Sequence, residues 1–297
     1  MNNLLKLLLA LFVVACSQPK SAESDESTES EENKPTASLE RLWASDTTLS
    51  TAESVFFDAG NNVLYVSCIG GVPPNAQDED GFIAKISPED GSIVELNWVT
   101  GIDAPKGMGM VGETLYVANI DEVVLINTTS GEVTERISVP DATFLNDITT
   151  DDEGNVYISD SNRNRIHKLS PGGEVSVWIE DSSLGGPNGL FHDGDRMMLA
   201  TFGAGNFSTI NYADSSISVV ADSINGGDGI VKVDDAFLVS NWNGEVYYVS
   251  SEWEKELILD TKEMGANAAD IEFIASTNTL LVPTFFGNQV VAYKLNK

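Results

Sequence analysis

Leu145-Asn146-Asp147-Ile148 is followed 42 residues later by Pro187-Asn188-Gly189-Leu190, and 40 residues beyond that by Gly227-Asp228-Gly229-Ile230. Outward from this trio, the same kind of short polar tag stands ahead of an apolar run at Pro105-Lys106-Gly107, Ala52-Glu53-Ser54 and Ala269-Asp270-Ile271. Between middle residues the steps are 53, 40, 42, 40 and 42. A period of about 40 residues that holds several short strands is the mark of a propeller blade. Six tags predict an all-β, six-bladed β-propeller. Such a ring brings equivalent positions of every blade to one axis, so Glu53, Lys106, Asn146, Asn188, Asp228 and Asp270 are expected to converge there.

Each tag leads an inner strand, and a turn rich in Asp, Gly and Asn then introduces a second, strongly apolar strand. Examples are Val63-Leu64-Tyr65-Val66-Ser67, Val156-Tyr157-Ile158-Ser159 and Phe237-Leu238-Val239-Ser240. Nearly continuous apolar runs suit strands covered on both faces by neighbouring sheets. Third strands are expected at Phe82 to Ile86, Val123 to Ile126, Ile166 to Leu169, Phe207 to Tyr212, Val246 to Val249 and Val290 to Leu295. Outer strands follow around Val94, Val133, Val175, Val219 and Leu257. The last blade lacks an outer strand, while Leu39 to Trp43 precedes the first tag without a blade of its own. Pairing Leu39–Trp43 with Val290–Leu295 would close the ring and leave no free edge at the seam.

The 297 residues are 42% hydrophobic and 8% aromatic, enough for one large all-β domain. Three segments are read: residues 1–15 a signal peptide, 16–38 a lipidated Cys16 with an acidic linker, and 39–297 the propeller. Lys6 and the apolar run Leu7 to Val14 form a segment too short to span a bilayer and suited to secretion. Its end, Val13-Val14-Ala15-Cys16, resembles the bacterial lipobox. That resemblance implies cleavage before Cys16, acylation there, and a lipid tether to the cell envelope at the periplasmic face or outer membrane. Ser17 to Ser38 is polar and acidic and is expected to be a disordered spacer. The other cysteine, Cys68, reads as a small buried apolar residue.

Net charge is −30. Residues 39–297 hold 13 basic and 40 acidic side chains, so the acidity belongs to the folded domain. Nucleic acid is disfavoured as a partner. A small molecule at the central channel is the expected ligand, and a monomer the expected state.

Glu53, Asn146, Asn188 and Asp228 are hard oxygen donors. Converging at an axis they suit Ca²⁺, with Mg²⁺ or Mn²⁺ as alternatives, better than metals that favour imidazole or thiolate. Against this stands the reading of Asn and Asp before Gly as ordinary turn residues. His192 shares strand parity with Asn188, so either a proton relay near the channel or a packed rim histidine is open. Trp242, Phe285 and Phe286 follow second strands and are candidates to wall a pocket.

Over residues 39–297 the chain resembles the SMP-30/gluconolactonase/LRE-like family of six-bladed propellers. The resemblance rests on Glu53 ahead of its strand, Leu145-Asn146-Asp147, Pro187-Asn188-Gly189-Leu190 and Gly227-Asp228-Gly229-Ile230. It implies Glu53, Asn188 and Asp228 as ligands of one divalent cation, with Asn146 beside them towards substrate. Asp228 would be the catalytic base for water attack on a lactone carbonyl; Lys106 and Asp270, read from their place in the ring and not from the resemblance, are candidate substrate-side or supporting groups. Phe144 stands where an arginine is common in the family, and Lys106 is an unfamiliar member of the ring. Asp160-Ser161-Asn162-Arg163-Asn164-Arg165-Ile166 also looks like the turn of an NHL repeat, a propeller unit with mostly binding roles. A metal-dependent hydrolase of lactones or related esters, a non-catalytic binding propeller and a lyase acting on a cyclic ester are the competing functions.

Overall fold

A computed structural model describes residues 37–297; the expected signal peptide, Cys16 and the expected linker up to residue 36 lie outside the described residues. β1 (Ser38–Ala44) is followed by blade 1, made of β2 (Ala52–Asp58), β3 (Val63–Cys68), β4 (Gly81–Ile86) and β5 (Ile93–Ile102). Blade 2 holds β6 (Pro105–Val111), β7 (Thr114–Asn119), β8 (Glu122–Asn127) and β9 (Val133–Ser138). Blade 3 holds β10 (Leu145–Thr150), β11 (Val156–Asp160), β12 (Arg165–Leu169) and β13 (Val175–Glu180). Blade 4 holds β14 (Pro187–Asp193), β15 (Arg196–Thr201), β16 (Phe207–Asn211) and β17 (Ile217–Ala221). Blade 5 holds β18 (Gly227–Val233), β19 (Ala236–Asn241), β20 (Glu245–Val249) and β21 (Lys255–Asp260). Blade 6 is β22 (Glu272–Ile274), β23 (Thr279–Pro283) and β24 (Val290–Asn296), completed by β1 in the order β1-β24-β23-β22. This is the six-bladed propeller that the 40-residue period predicts.

The closing pair forms as expected: Leu39 opposes Leu295 and Trp43 opposes Ala292, with β1 beginning at Ser38 opposite Asn296. The second strands β3, β11, β19 and β23 are buried along their whole length. Outer strands such as β9 hold only half-buried and exposed residues, because one of their faces meets no neighbour.

The core is not one mass but a set of apolar seams between adjacent blades. Blades 6 and 1 meet through Leu281, Val290 and Ala292 against Leu64 and Val66; blades 4 and 5 meet through Met198 and Phe207 against Phe237 and Val239. Each fully buried aliphatic or aromatic side chain of this kind contributes about 1.5–3 kcal/mol. A second repeated device holds the outer halves of two blades. Lys85 lies over Trp98, 3.9 Å from the ring centre, and Trp98 stacks on Tyr65, whose hydroxyl donates to Asp58. Lys168, Tyr157, Trp178 and Asp151 use the same residue types in blade 3, but there Lys168 lies over Tyr157 and Trp178 meets that ring edge-on.

In blades 1 to 5 the tags sit inside the inner strands, and not ahead of them as the sequence suggests; in blade 6 Ala269-Asp270-Ile271 does precede β22, with Asp270 in an isolated bridge to Ser54. In β6, β10, β14 and β18 three steps of the inner strand oppose two steps of the second, and in β2 two steps oppose one. Each is a β-bulge, which admits one extra residue and re-aims its side chain. The amide freed by the bulge needs an acceptor. In blades 1, 3 and 5 a buried serine of the second strand supplies it: Ser54 N–H donates to Ser67 Oγ, Asp147 N–H to Ser159 Oγ and Gly229 N–H to Ser240 Oγ, at 3.0, 2.9 and 2.8 Å.

Candidate functional site

Five of the six tag residues line one cavity of about 240 Å³ at the start of the inner strands: Glu53, Lys106, Asn146, Asn188 and Asp228. All five are buried. Asp270 does not join them. It lines a second opening, one to four residues further along the same strands, with Asp147 and Glu272. Its backbone N–H donates to the Glu53 carbonyl, and its carboxylate accepts from Ser54 Oγ at 2.5 Å. Ser54, one residue past the tag centre in blade 1, therefore holds this carboxylate in the deeper layer. The expectation of a single six-membered ring is corrected to five residues above and an acidic layer below.

The blades approach so closely at this level that the residue after the tag is small in several of them. A Cβ on Gly189 would overlap the Asp228 carbonyl oxygen, and one on Gly229 would meet the Ile271 amide. Asp147 and Ile271 are the exceptions, and Asp147 uses its side chain as a brace. Its carboxylate accepts from Leu190 N–H of the next blade at 2.6 Å and from Ile148 N–H at 2.7 Å.

The electrostatics follow from crowding carboxylates where water is scarce. Burial, reinforced by the Asp228 charge, holds the Glu53 carboxyl well above its usual range, with Lys106 acting against it. Burial and then Asp270 raise Asp228, while a hydrogen bond from Asn188 opposes. Burial and Asp270 likewise raise Asp147. Asp270 and Glu272, both half-buried, are pushed up to about 7 by desolvation. Lys106 is the cation of this cavity, and burial pulls its ammonium down to about 8 against the attraction of Glu53. Its Nζ donates to the Ala104 carbonyl at 3.0 Å and lies 4.8 Å from the centre of the Phe144 ring. Among the described residues it makes no ion pair within 4.0 Å, so it does not neutralise Glu53 by contact.

Glu53 Oε2 is buried and has no hydrogen-bond partner among the described residues. An orphaned carboxylate oxygen is costly unless something else satisfies it. The neighbouring amides are oriented compatibly. Asn188 Nδ2 donates to the Gly227 carbonyl at 3.2 Å and Asn146 Nδ2 to Ser161 Oγ at 3.3 Å, and neither Oδ1 accepts a hydrogen bond among the described residues. Two carboxylates and two amide oxygens are the donor chemistry of a hard divalent cation. No cluster of three or more His, Cys, Asp or Glu side chains among the described residues forms a metal cage by itself. The amides would have to complete the set.

The walls above this floor are apolar: Ile69 and Pro74 from the twelve-residue connection between β3 and β4, with Phe144, Phe202, Trp242 and Phe285. Trp242 packs edge-on to Phe285 at 4.5 Å, and Phe286 caps both from outside the cavity. Ser161 and Asn162, from the turn resembling an NHL repeat, complete the rim. Neither histidine is near. His192 Nδ1 pairs with the Tyr212 hydroxyl at 2.9 Å beside Tyr157 and Trp178, and His167 is buried inside blade 3. The rim reading of His192 holds, and a relay at the channel does not. Cys68 is fully buried, and desolvation pushes its thiol well above the ordinary value, which removes it as a nucleophile.

No family model matches the chain, and no curated protein matches it. Solved structures do. A catalytically inactive virginiamycin B lyase from Staphylococcus aureus, with quinupristin, is 13% identical over 87% of this chain and 99% of its own, with a TM-score of 0.61. A streptogramin B lyase is 12% identical over 88% and 98%, with a TM-score of 0.64. A chain of a nidogen/laminin complex is 18% identical over 72% and 82%, with a TM-score of 0.59. At such identities the likeness establishes the six-bladed propeller, a fold shared by these lyases and by a chain of the nidogen/laminin complex.

Proposed function

We propose that this protein is a divalent-cation-dependent hydrolase of a lactone or related ester, tethered to the cell envelope through a lipidated Cys16. The observation that carries this reading is the buried Glu53 Oε2, unpartnered among the described residues, on a side chain that lines one cavity with Asp228, Asn146 and Asn188. Glu53, Asn188 and Asp228 would hold the cation, most simply Ca²⁺, with Asn146 on the substrate side. A bound dication supplies carbonyl polarisation and compensates the two carboxylates. Asp228 takes the proton of the attacking water at its carboxylate. Asn188, which donates towards Asp228, fixes the orientation of that carboxylate. The remaining donors of Lys106 Nζ are available to an oxygen of the substrate.

The likeness to two lyases supports lyase-type ring opening as the second enzymatic reading, and the propeller of the nidogen complex supports passive binding. One experiment separates the three. Ca²⁺ titration of the soluble domain is expected to raise Tm by mass action, since the ion binds only the folded state. Metal-dependent opening of a lactone in H₂¹⁸O is expected to place ¹⁸O in the product carboxylate, and Asp228→Asn to lower kcat by at least a hundredfold while the fold persists. Ring opening without ¹⁸O would assign elimination. A Tm indifferent to divalent ions, with no turnover on lactones or aryl esters, would assign the binding propeller.

A further inference from the structure

We infer that the mouth cavity selects a small amphipathic ligand: an acyl or aryl body between Phe144, Phe202, Trp242 and Phe285, with a carbonyl or carboxylate oxygen against Lys106 Nζ. This deepens the proposed function and rests on it for which end of the ligand reacts. The division of the cavity is what points there. Apart from Ser161 and the exposed Asn162 at the rim, its polar groups lie at the floor, and most of the buried donors are already committed within the protein: Asn146 to Ser161, Ser161 to the Pro187 carbonyl, Asn188 to the Gly227 carbonyl. A polyhydroxylated sugar acid would bring several hydroxyls into this space, and each left unpaired costs affinity. The wall offers such hydroxyls aromatic faces and edges. Lys106 is different. It is 1% exposed, it makes one hydrogen bond out of three possible, and the Phe144 ring covers one side of it.

Size and position agree. At about 240 Å³ the cavity falls below the roughly 300 Å³ at which drug-sized sites begin, so the ligand body is short. The apolar wall does not end at the cavity. Phe202 is 47% exposed at its rim and Phe286 57% exposed against Trp242 and Phe285. An apolar tail longer than the cavity would therefore continue over aromatic surface instead of meeting charge, on a domain whose exterior is otherwise strongly acidic.

The test reads binding without turnover. A series of n-alkyl carboxylates from butanoate to decanoate, with gluconate as the hydroxylated control, is titrated calorimetrically into wild type, Asp228→Asn, Phe144→Arg, Trp242→Ala and Lys106→Met. In wild type and Asp228→Asn, Kd is expected to fall about three- to fourfold per methylene until the chain reaches the rim. Trp242→Ala should flatten that slope while leaving butanoate nearly unchanged; Phe144→Arg, which sets a second cation beside Lys106, should flatten it while tightening the short carboxylates. Lys106→Met should weaken every carboxylate at least tenfold and leave the matching neutral alcohols unaffected. A flat chain-length series in wild type, tighter binding of gluconate than octanoate, or an unchanged slope in both aromatic variants would overturn the inference. Failure of the hydrolase reading looks different: no lactone turns over, yet the chain-length slope and its loss in the variants remain.

Discussion

At Glu53 a carboxylate oxygen stands buried and unpartnered beside the carboxylate of Asp228, and the nearby ammonium of Lys106 is turned to a backbone carbonyl and an aromatic ring. In metal-free protein, at a pH high enough to ionise Glu53, Glu53→Gln removes a charge that nothing compensates by contact. The expected result is a stabilisation of about 1 kcal/mol, seen as about 2–4 °C in Tm for a domain this large. With Ca²⁺ present the same variant should lose the ion-dependent rise, reversing the order of the two proteins; unchanged Tm in both conditions would remove Glu53 from the site. The pH dependence follows from the same crowding. Carboxyls raised in the fold bind protons that the unfolded chain has released, so their contribution is present at low pH and lost as pH rises through the folded value. With Asp270 and Glu272 raised to about 7 and Glu53, Asp147 and Asp228 also raised, metal-free protein should lose stability from pH 5 to pH 8. Lys106, depressed to about 8, acts in the opposite sense only above that pH. Thermal melts in EDTA across pH 5–8 check this, and a flat or rising profile contradicts it. Five residues of the cavity were legible in the sequence because they repeat at one register. The deeper seat of Asp270 was not, because it depends on a serine in another blade, 216 residues away.

The repeat also made the strands and the closing pair readable, since apolar runs and turn residues report burial and chain reversal directly. The bulges escaped notice. A bulge breaks the period of two that defines a strand in sequence, so a tag at one looks like a loop in front of the strand. The supporting serines gave a faint signal: Ser67, Ser159 and Ser240 end apolar runs at matching positions, with Ala118 and Ala200 in the alternate blades. Ser240 is the most heavily used, accepting from Gly229 N–H and donating to the Ala269 carbonyl of the next blade at 2.7 Å. Ser240→Ala orphans a buried amide and a buried carbonyl together. A loss of about 1–3 kcal/mol is expected, with Ca²⁺-dependent stabilisation weakened as well, because that bulge positions Asp228. Denaturant midpoints in EDTA and in Ca²⁺ measure both; a loss confined to overall stability would separate the serine from the site.

At the scale of the whole ring, stability is distributed over six seams, each joining two sheets that could not cover their own faces. No disulfide is present among the described residues, where Cys68 is free. Against these seams works a net charge of −30 on the full chain, most of it on the propeller. Self-repulsion of that size is screened by salt, whose Debye length shrinks from about 30 Å at 0.01 M to about 8 Å at 0.15 M. Tm in EDTA should therefore climb with NaCl over this range, and a salt-independent Tm would mean that the acidic side chains are already compensated. The seam in blade 6 has a further consequence. Because Ser38 faces Asn296 across an antiparallel ladder, the two ends of the folded domain lie about 5 Å apart. The ring is thus indifferent to where its covalent thread is cut. A circular permutant that ligates this junction and opens the long β3–β4 connection would carry the same five-residue floor beneath a severed wall.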